Sequence, residues 1–366
     1  MVPNRVWPRR RFLAGSLSLA ALAVARGTLA DTAGKLDGPF AAGKSRILFE
    51  LHESGLMRIV HAFAVDASGR RAAVFGPDRD DLTLIDVATG KRLFQGKVPH
   101  LGLALSSLSP AIYFSDDGGK LYWASGGDAQ LVCFDVNACS VLATYDVGAF
   151  HCQQMAIDSE NAYFTAQDFS VVKVALDTGK PSDIVLPEGI ISVFRGHGGV
   201  YGRLLNFRGT KGQPPHPADG LPLNANRPVK LVSLSPATFG ARLTLPPASP
   251  SSFFLSLPDE RWAIASEGDH GNTEPPQLII ADPSGQAITT VSFSRPALAL
   301  SGFALAGGSL FVSAEDATEP IRQFTTDGAP KAASTFVNSG RLGALEMRGA
   351  GNKLFVSDMY QLLVFE

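Results

Sequence analysis

Leu82-Thr-Leu-Ile-Asp-Val-Ala-Thr-Gly-Lys91 is an alternating apolar strand that runs through Asp86 into a tight turn and starts back. Leu131-Val-Cys-Phe-Asp-Val-Asn-Ala-Cys-Ser140 repeats the phrase, and Val171-Val-Lys-Val-Ala-Leu-Asp-Thr-Gly-Lys180 gives it a third time. A period of two marks each copy as a strand, and the copies point to a repeat of about 47 to 49 residues. Asp86 and Asp135 can accept hydrogen bonds from turn amides, and Gly90 and Gly179 supply the positive φ of the reversal. Cys139 stands where that glycine belongs, which leaves the geometry of its turn open.

Another strand, introduced by its own turn, precedes each phrase: Ala67–Phe75, Asp117–Ala124 and Asp158–Thr165. The same pattern returns at Leu257–Ile264, Ala306–Ser313 and Gly349–Ser357, with a weaker copy at Gly196–Gly202. That makes seven. A unit of several short strands cannot bury both its faces alone, so the chain reads as all-β, a seven-bladed propeller of four-stranded antiparallel sheets over residues 45–366. The last unit ends after one strand of its hairpin, Leu362–Phe365, while Ser45–Leu51 is a lone strand ahead of the first unit. The N-terminal strand is therefore expected to complete the last blade and remove its open edge.

These residues carry a resemblance to the YVTN-type β-propellers, a group that includes the large chains of bacterial amine dehydrogenases. The similarity covers nearly the whole chain after its first segment and is specific for blade architecture. It implies a propeller that holds a small quinone-bearing subunit and shapes the approach of an amine. Fold alone names no activity.

The first segment, residues 1–30, reads as an export signal. Arg9-Arg10-Arg11-Phe12-Leu13 resembles the twin-arginine core, Ala14–Val24 is an apolar run too short to span a bilayer, and Thr28-Leu29-Ala30 offers small residues for cleavage. Residues 31–44 then form a linker, and the mature protein is expected in the periplasm, with no membrane insertion after cleavage. Processing leaves 27 basic against 34 acidic residues, net −7, with no basic cluster. Such a balance excludes nucleic acid and anionic lipid as partners and favours a protein partner or a small cationic ligand. Cys133, Cys139 and Cys152 could furnish one disulfide in an oxidising compartment, but the sequence does not choose the pair.

In a four-stranded blade, the second-to-third connections and the blade-to-blade links emerge on one face. Asp78 to Asp81, Asp128, Gln167 and Asp168, Glu267 to His270, Glu315 and Asp316, and Asp358 fall on those connections. His61, His100 and His151 stand on the same side, so the candidate rim is His61, His100, Asp128, His151, Asp168, Glu267, Asp269, His270, Glu315 and Asp358. Two readings stand together: aspartates favour tight turns, and acids around a channel mouth attract cations. The Pro- and Gly-rich insertion Asn206–Pro228 lies on this rim as a docking loop, a lid or a passive insertion.

No haem, flavin or nicotinamide motif is encoded, no Cys-x-x-Cys pair suggests structural zinc, and a Gly-x-Ser-x-Gly elbow is absent; Glu267, Asp269 and His270 could ligate a metal, but loop composition alone shows no convergence of ligands from other segments. The sequence thus supports an exported binding or scaffold propeller, with a metal-dependent lactonase or hydrolase at the channel mouth as the alternative. Whether the chain is an enzyme stays open at this level.

Overall fold

The computed structural model describes residues 45–51, 60–76, 78–102, 112–125, 130–148, 154–166, 168–184, 186–208, 216–221, 225–266, 275–293, 300–314, 321–334, 346–357 and 360–366. All belong to one compact unit, Ala33–Glu366. The expected signal and linker, residues 1–44, lie outside the described residues.

Seven four-stranded antiparallel sheets follow one another as the blades of a β-propeller. Their innermost strands are Ala62–Val65, Ile112–Phe114, Gln154–Ile157, Gly189–Gly196, Phe253–Ser256, Leu300–Ala306 and Glu346–Ala350. Each touches the innermost strand of the next blade, and the seventh touches the first, so the ring is closed. The seam is the expected one. Ser45–Glu50 pairs antiparallel with Gln361–Phe365, Ser45 opposite Phe365 and Glu50 opposite Gln361. Arg46 reinforces it, pairing with Glu366 at 3.1 Å and donating to the Val87 carbonyl on the hairpin turn of blade 1.

The core explains why the repeat needs its neighbours. Seven separate apolar clusters fill the seven junctions between adjacent blades, each drawing side chains from two sheets. Second strands such as Arg71–Phe75 and Trp262–Ser266 are buried on both faces, while outermost strands such as Arg92–Lys97 alternate between exposed and half-buried. Large rings do most of the filling: Trp123, Trp262, Tyr163, Phe75 and Phe355 are almost wholly buried. Each such side chain contributes roughly 1.5–3 kcal/mol relative to exposure.

The turn chemistry is as the sequence implies. Asp86 Oδ1 accepts from Thr89 N at 2.8 Å and from its hydroxyl at 2.6 Å, and Asp135 Oδ1 accepts from Asn137 N and Ala138 N, both at 2.8 Å. Cys139 adopts the glycine conformation, φ +54°. Its thiol and that of Cys133 are both free. Cys133 faces the blade 2–3 junction and Cys139 the blade 1–2 junction, so they sit on opposite faces of one sheet. Cys152 lies outside the described residues. The period is looser than 47 to 49 residues: the equivalent turn residues Gly90, Cys139 and Gly179 stand 49 and then 40 apart. Blade 3 is built from strands of only four or five residues.

Candidate functional site

Of the ten rim candidates, His61, His100 and Asp168 are described; Asp128, His151, Glu267, Asp269, His270, Glu315 and Asp358 lie outside the described residues. The three occupy connections at the same end of their blades, each fixed locally. His61 donates its amide to the Phe75 carbonyl at 3.0 Å, where the second strand of blade 1 ends. His100 is exposed on the link to blade 2. That link is held by Trp123 Nε1 donating to the Pro99 carbonyl at 3.0 Å and by Leu101 N donating to the Arg79 carbonyl at 2.7 Å. Asp168 accepts from the Ser170 hydroxyl at 2.6 Å and the Ser170 amide at 3.0 Å. These bonds lower its pKa, the hydroxyl more than the amide, and they are those of an Asx turn.

Asp78, Asp80 and Asp81 bring their oxygens within 4.8 Å of one another on the rim of blade 1. Lys97 Nζ stands among them, 2.6 Å from Asp80, 3.0 Å from Asp81 and 3.4 Å from Asp78. Hydrogen bonds to Asp80 and Asp81 raise the lysine pKa, so the cluster already holds its cation. The insertion is anchored as well. Phe207–Arg208 pairs with His216–Pro217, and Phe207 stacks on Phe169 of blade 3 with centroids 4.3 Å apart. Asp219 forms a fork with Arg227 at 2.6 and 3.1 Å, which holds its pKa down at about 2. The base of the insertion thus rests on the rim of blades 3 and 4, while residues 209–215 and 222–224 lie outside the described residues.

A second locus occupies the central channel. A pocket of about 290 Å³ is lined by the innermost strands of blades 2, 4, 5, 6 and 7. Its polar groups are Tyr113, Ser192, Arg195, Ser252 and Arg348, and its apolar wall includes Phe254 and Phe303. The two remaining blades act from behind. The Tyr113 hydroxyl donates to the Met155 carbonyl of blade 3 at 2.9 Å, and the Arg348 guanidinium lies over the Phe63 ring of blade 1, 5.6 Å from its centroid. Burial raises the Tyr113 pKa, and the charges of Arg348 and Arg195 both oppose that rise, so the phenol lies within the field of each.

Each guanidinium has one carboxylate partner. Arg348 Nη2 donates to Glu346, two residues away on the same strand, and Arg195 Nη2 donates to Asp116 on the first turn of blade 2. Burial raises the Glu346 pKa and Arg348 pulls it back, although 30% of the side chain remains exposed. Arg195 is the penultimate residue of its strand. The Arg195–Asp116 pair therefore stands at the face that carries the first-to-second strand turns, opposite the predicted acid rim.

None of Tyr113, Arg195, Glu346 and Arg348 stands among the sequence candidates. A signal exists in Phe194-Arg195 and Met347-Arg348, where a charge interrupts an innermost strand. His197, on the first-to-second strand turn of blade 4, packs edge-on against Trp262, 4.4 Å between centroids, and burial lowers its pKa.

No protein-family model matches the chain, and no curated protein matches it in sequence. Solved structures do match in shape. Catalytically inactive virginiamycin B lyase from Staphylococcus aureus, with quinupristin, aligns with TM-score 0.59 and 12% identity over 87% of this chain and 98% of the other. The WD40 repeats of RRP9 align with TM-score 0.57 and 11% identity, covering 88% and 97%. Hydrazine synthase from Kuenenia stuttgartiensis gives TM-score 0.52 and 13% identity, covering 76% and 79%. At such identities the shared property is the fold: this chain is a β-propeller of the shape those proteins also use.

Proposed function

We propose that the protein is exported by the twin-arginine pathway and acts in the periplasm as a binding propeller. Its channel takes a small molecule and its acid-bearing rim, with the anchored insertion, receives a protein partner or an amine. The observation that carries this reading is the channel pocket, where polar and aromatic side chains from five blades converge on one cavity. A cavity that combines a few polar groups with an apolar wall, all carried on strands, is the make-up of a small-molecule site. The finer form, a non-cofactor large subunit of an amine-dehydrogenase-like complex, draws on the YVTN resemblance. Hydrazine synthase and the RRP9 WD40 repeats among the structural neighbours are compatible with it.

A second reading, a metal-dependent lactonase or hydrolase at the channel mouth, draws support from the virginiamycin B lyase neighbour and its quinupristin. The two separate by experiment. Purification of the protein from its native compartment should yield a co-purifying subunit or small molecule, and Arg9→Lys with Arg10→Lys should strand the chain in the cytoplasm. Turnover of lactones by the isolated protein with added divalent metal, with nothing bound on purification, would replace the first reading by the second. Unchanged export of the Arg9→Lys, Arg10→Lys variant would remove the twin-arginine route, and recovery of the unsubstituted chain from the cytoplasm would remove the periplasmic assignment.

A further inference from the structure

We infer that the channel pocket binds a small organic carboxylate with an apolar, ring-bearing body, its carboxylate engaged by Arg348 and Arg195. The inference rests on the binding reading above and narrows its ligand. Three features set the class. First, among the described residues the charged groups lining the cavity are two guanidiniums, Arg195 and Arg348, each hydrogen-bonded to one carboxylate, Asp116 and Glu346. A cation placed here would meet two like charges across low-dielectric walls, where opposition is strongest.

Second, the guanidiniums have capacity left for a ligand of matching shape. A guanidinium carries five N–H donors in a planar fork, and Glu346 and Asp116 each engage theirs through Nη2. Arg348 also donates through Nη1 to the Met347 carbonyl at 2.8 Å and rests its face on Phe63, which leaves the plane of the fork, rather than its face, for a further acceptor.

Third, the remaining wall is apolar. Phe194 and Phe254 stack at 4.7 Å between centroids, Leu255 and Leu305 lie on the same wall, and Phe253, Phe254 and Phe303 show only their edges from the buried junctions. A bare inorganic anion would leave that surface wet, whereas a flat apolar body covers it. Ser192 and Ser252 add hydroxyls that can accept or donate around the ligand's edge.

Isothermal titration calorimetry on the purified protein, with 3-phenylpropionate, 3-phenylpropanamide and protonated phenethylamine as probes, tests this. The three share a body and differ in charge. The acid should bind roughly ten- to a hundredfold more tightly than the amide, the range of one charge-assisted contact. Arg348→Gln and Arg195→Gln should each remove most of that preference while leaving the amide's affinity in place; Arg195, half out in solvent, serves if the Arg348 variant unfolds. Equal or tighter binding of the amide or amine, or an unaltered acid preference in both variants, overturns the inference. If in that case Phe254→Ala still weakens the amide, the channel site survives and only its charge preference falls. If none of the probes binds, the inference fails and the channel reading loses its support.

Discussion

Substituting Gly349 by alanine asks whether the ring is as tight as its inner strands imply. Gly349 lies on the innermost strand of blade 7, beside Leu300–Ala306 of blade 6. A Cβ placed there would stand 1.8 Å from the Leu305 carbonyl oxygen, 2.7 Å from its carbon and 3.3 Å from Ala306 Cβ. The obstacle is backbone, so no rotamer escape exists, and the two strands would have to part by more than about 1 Å to restore ordinary contact. In a closed ring that displacement passes to the neighbouring blades. Overpacking of this kind costs about 1–3 kcal/mol where a side chain can yield and more where it cannot, so the expected loss is at least about 3 kcal/mol. Gly351→Ala is the control: its φ of +60° is left-handed, but nothing lies within 4 Å of a new Cβ, so only the conformational cost of about 1 kcal/mol applies. Urea unfolding followed by tryptophan fluorescence, which Trp123 and Trp262 report from inside the junctions, measures both variants. A Gly349→Ala loss smaller than that of Gly351→Ala would refute the close approach, and with it the packing that shapes the channel next to Arg348.

Three further perturbations probe the seam, the rim and a strained turn. Phe49, 7% exposed in the blade 7–1 junction, should cost about 3–5 kcal/mol when cut to alanine; a loss under about 1 kcal/mol in urea unfolding would mean that the N-terminal strand is not integral to the ring. Asp219, held at a pKa of about 2 by Arg227, has a folded value below the unfolded one near 3.9, so its contribution is complete above about pH 4 and fades as pH falls through about 2. Asp219→Asn should therefore lower the unfolding midpoint at pH 7 and converge on the unsubstituted protein at pH 2; a gap independent of pH contradicts the pairing. Cys139→Gly should raise stability by about 0.5–1 kcal/mol by relieving a left-handed non-glycine residue, and a loss in the thermal midpoint would show that its thiol packing outweighs the strain.

Much of the architecture was legible because the blade writes itself into the hairpin. Asp86 and Asp135 mark the turn by accepting its amides, and the apolar alternation around them continues into the junction clusters. The seam at Ser45–Glu50 was legible from arithmetic, since one strand was missing at the end and one stood spare at the start. Blade 4 was faint because Arg195, His197, Gly198 and Gly199 replace the apolar rhythm at its first turn and an insertion separates its second and third strands. Among the rim candidates, Asp168 shows why composition overstates sites: its carboxylate serves the Ser170 turn.

The channel residues escaped notice for a geometric reason. On an innermost strand both side-chain faces point toward neighbouring blades, and the channel sees the strand's edge, so period-two patterning does not report which residues line it. Long side chains reach it regardless of parity, which is how Arg348 and Arg195 arrive from blades 7 and 4. Net charge misleads for the same reason. A processed chain of −7 invites a cationic ligand when its charge is averaged over the surface, yet interaction energy falls with distance and with the dielectric of the path between charges. A ligand inside the channel responds to the two guanidiniums in the wall, while most of the 34 acids act on it across screening solvent. The charge that decides the proposed ligand is thus the local one of Arg195 and Arg348, which a sum over the sequence does not report.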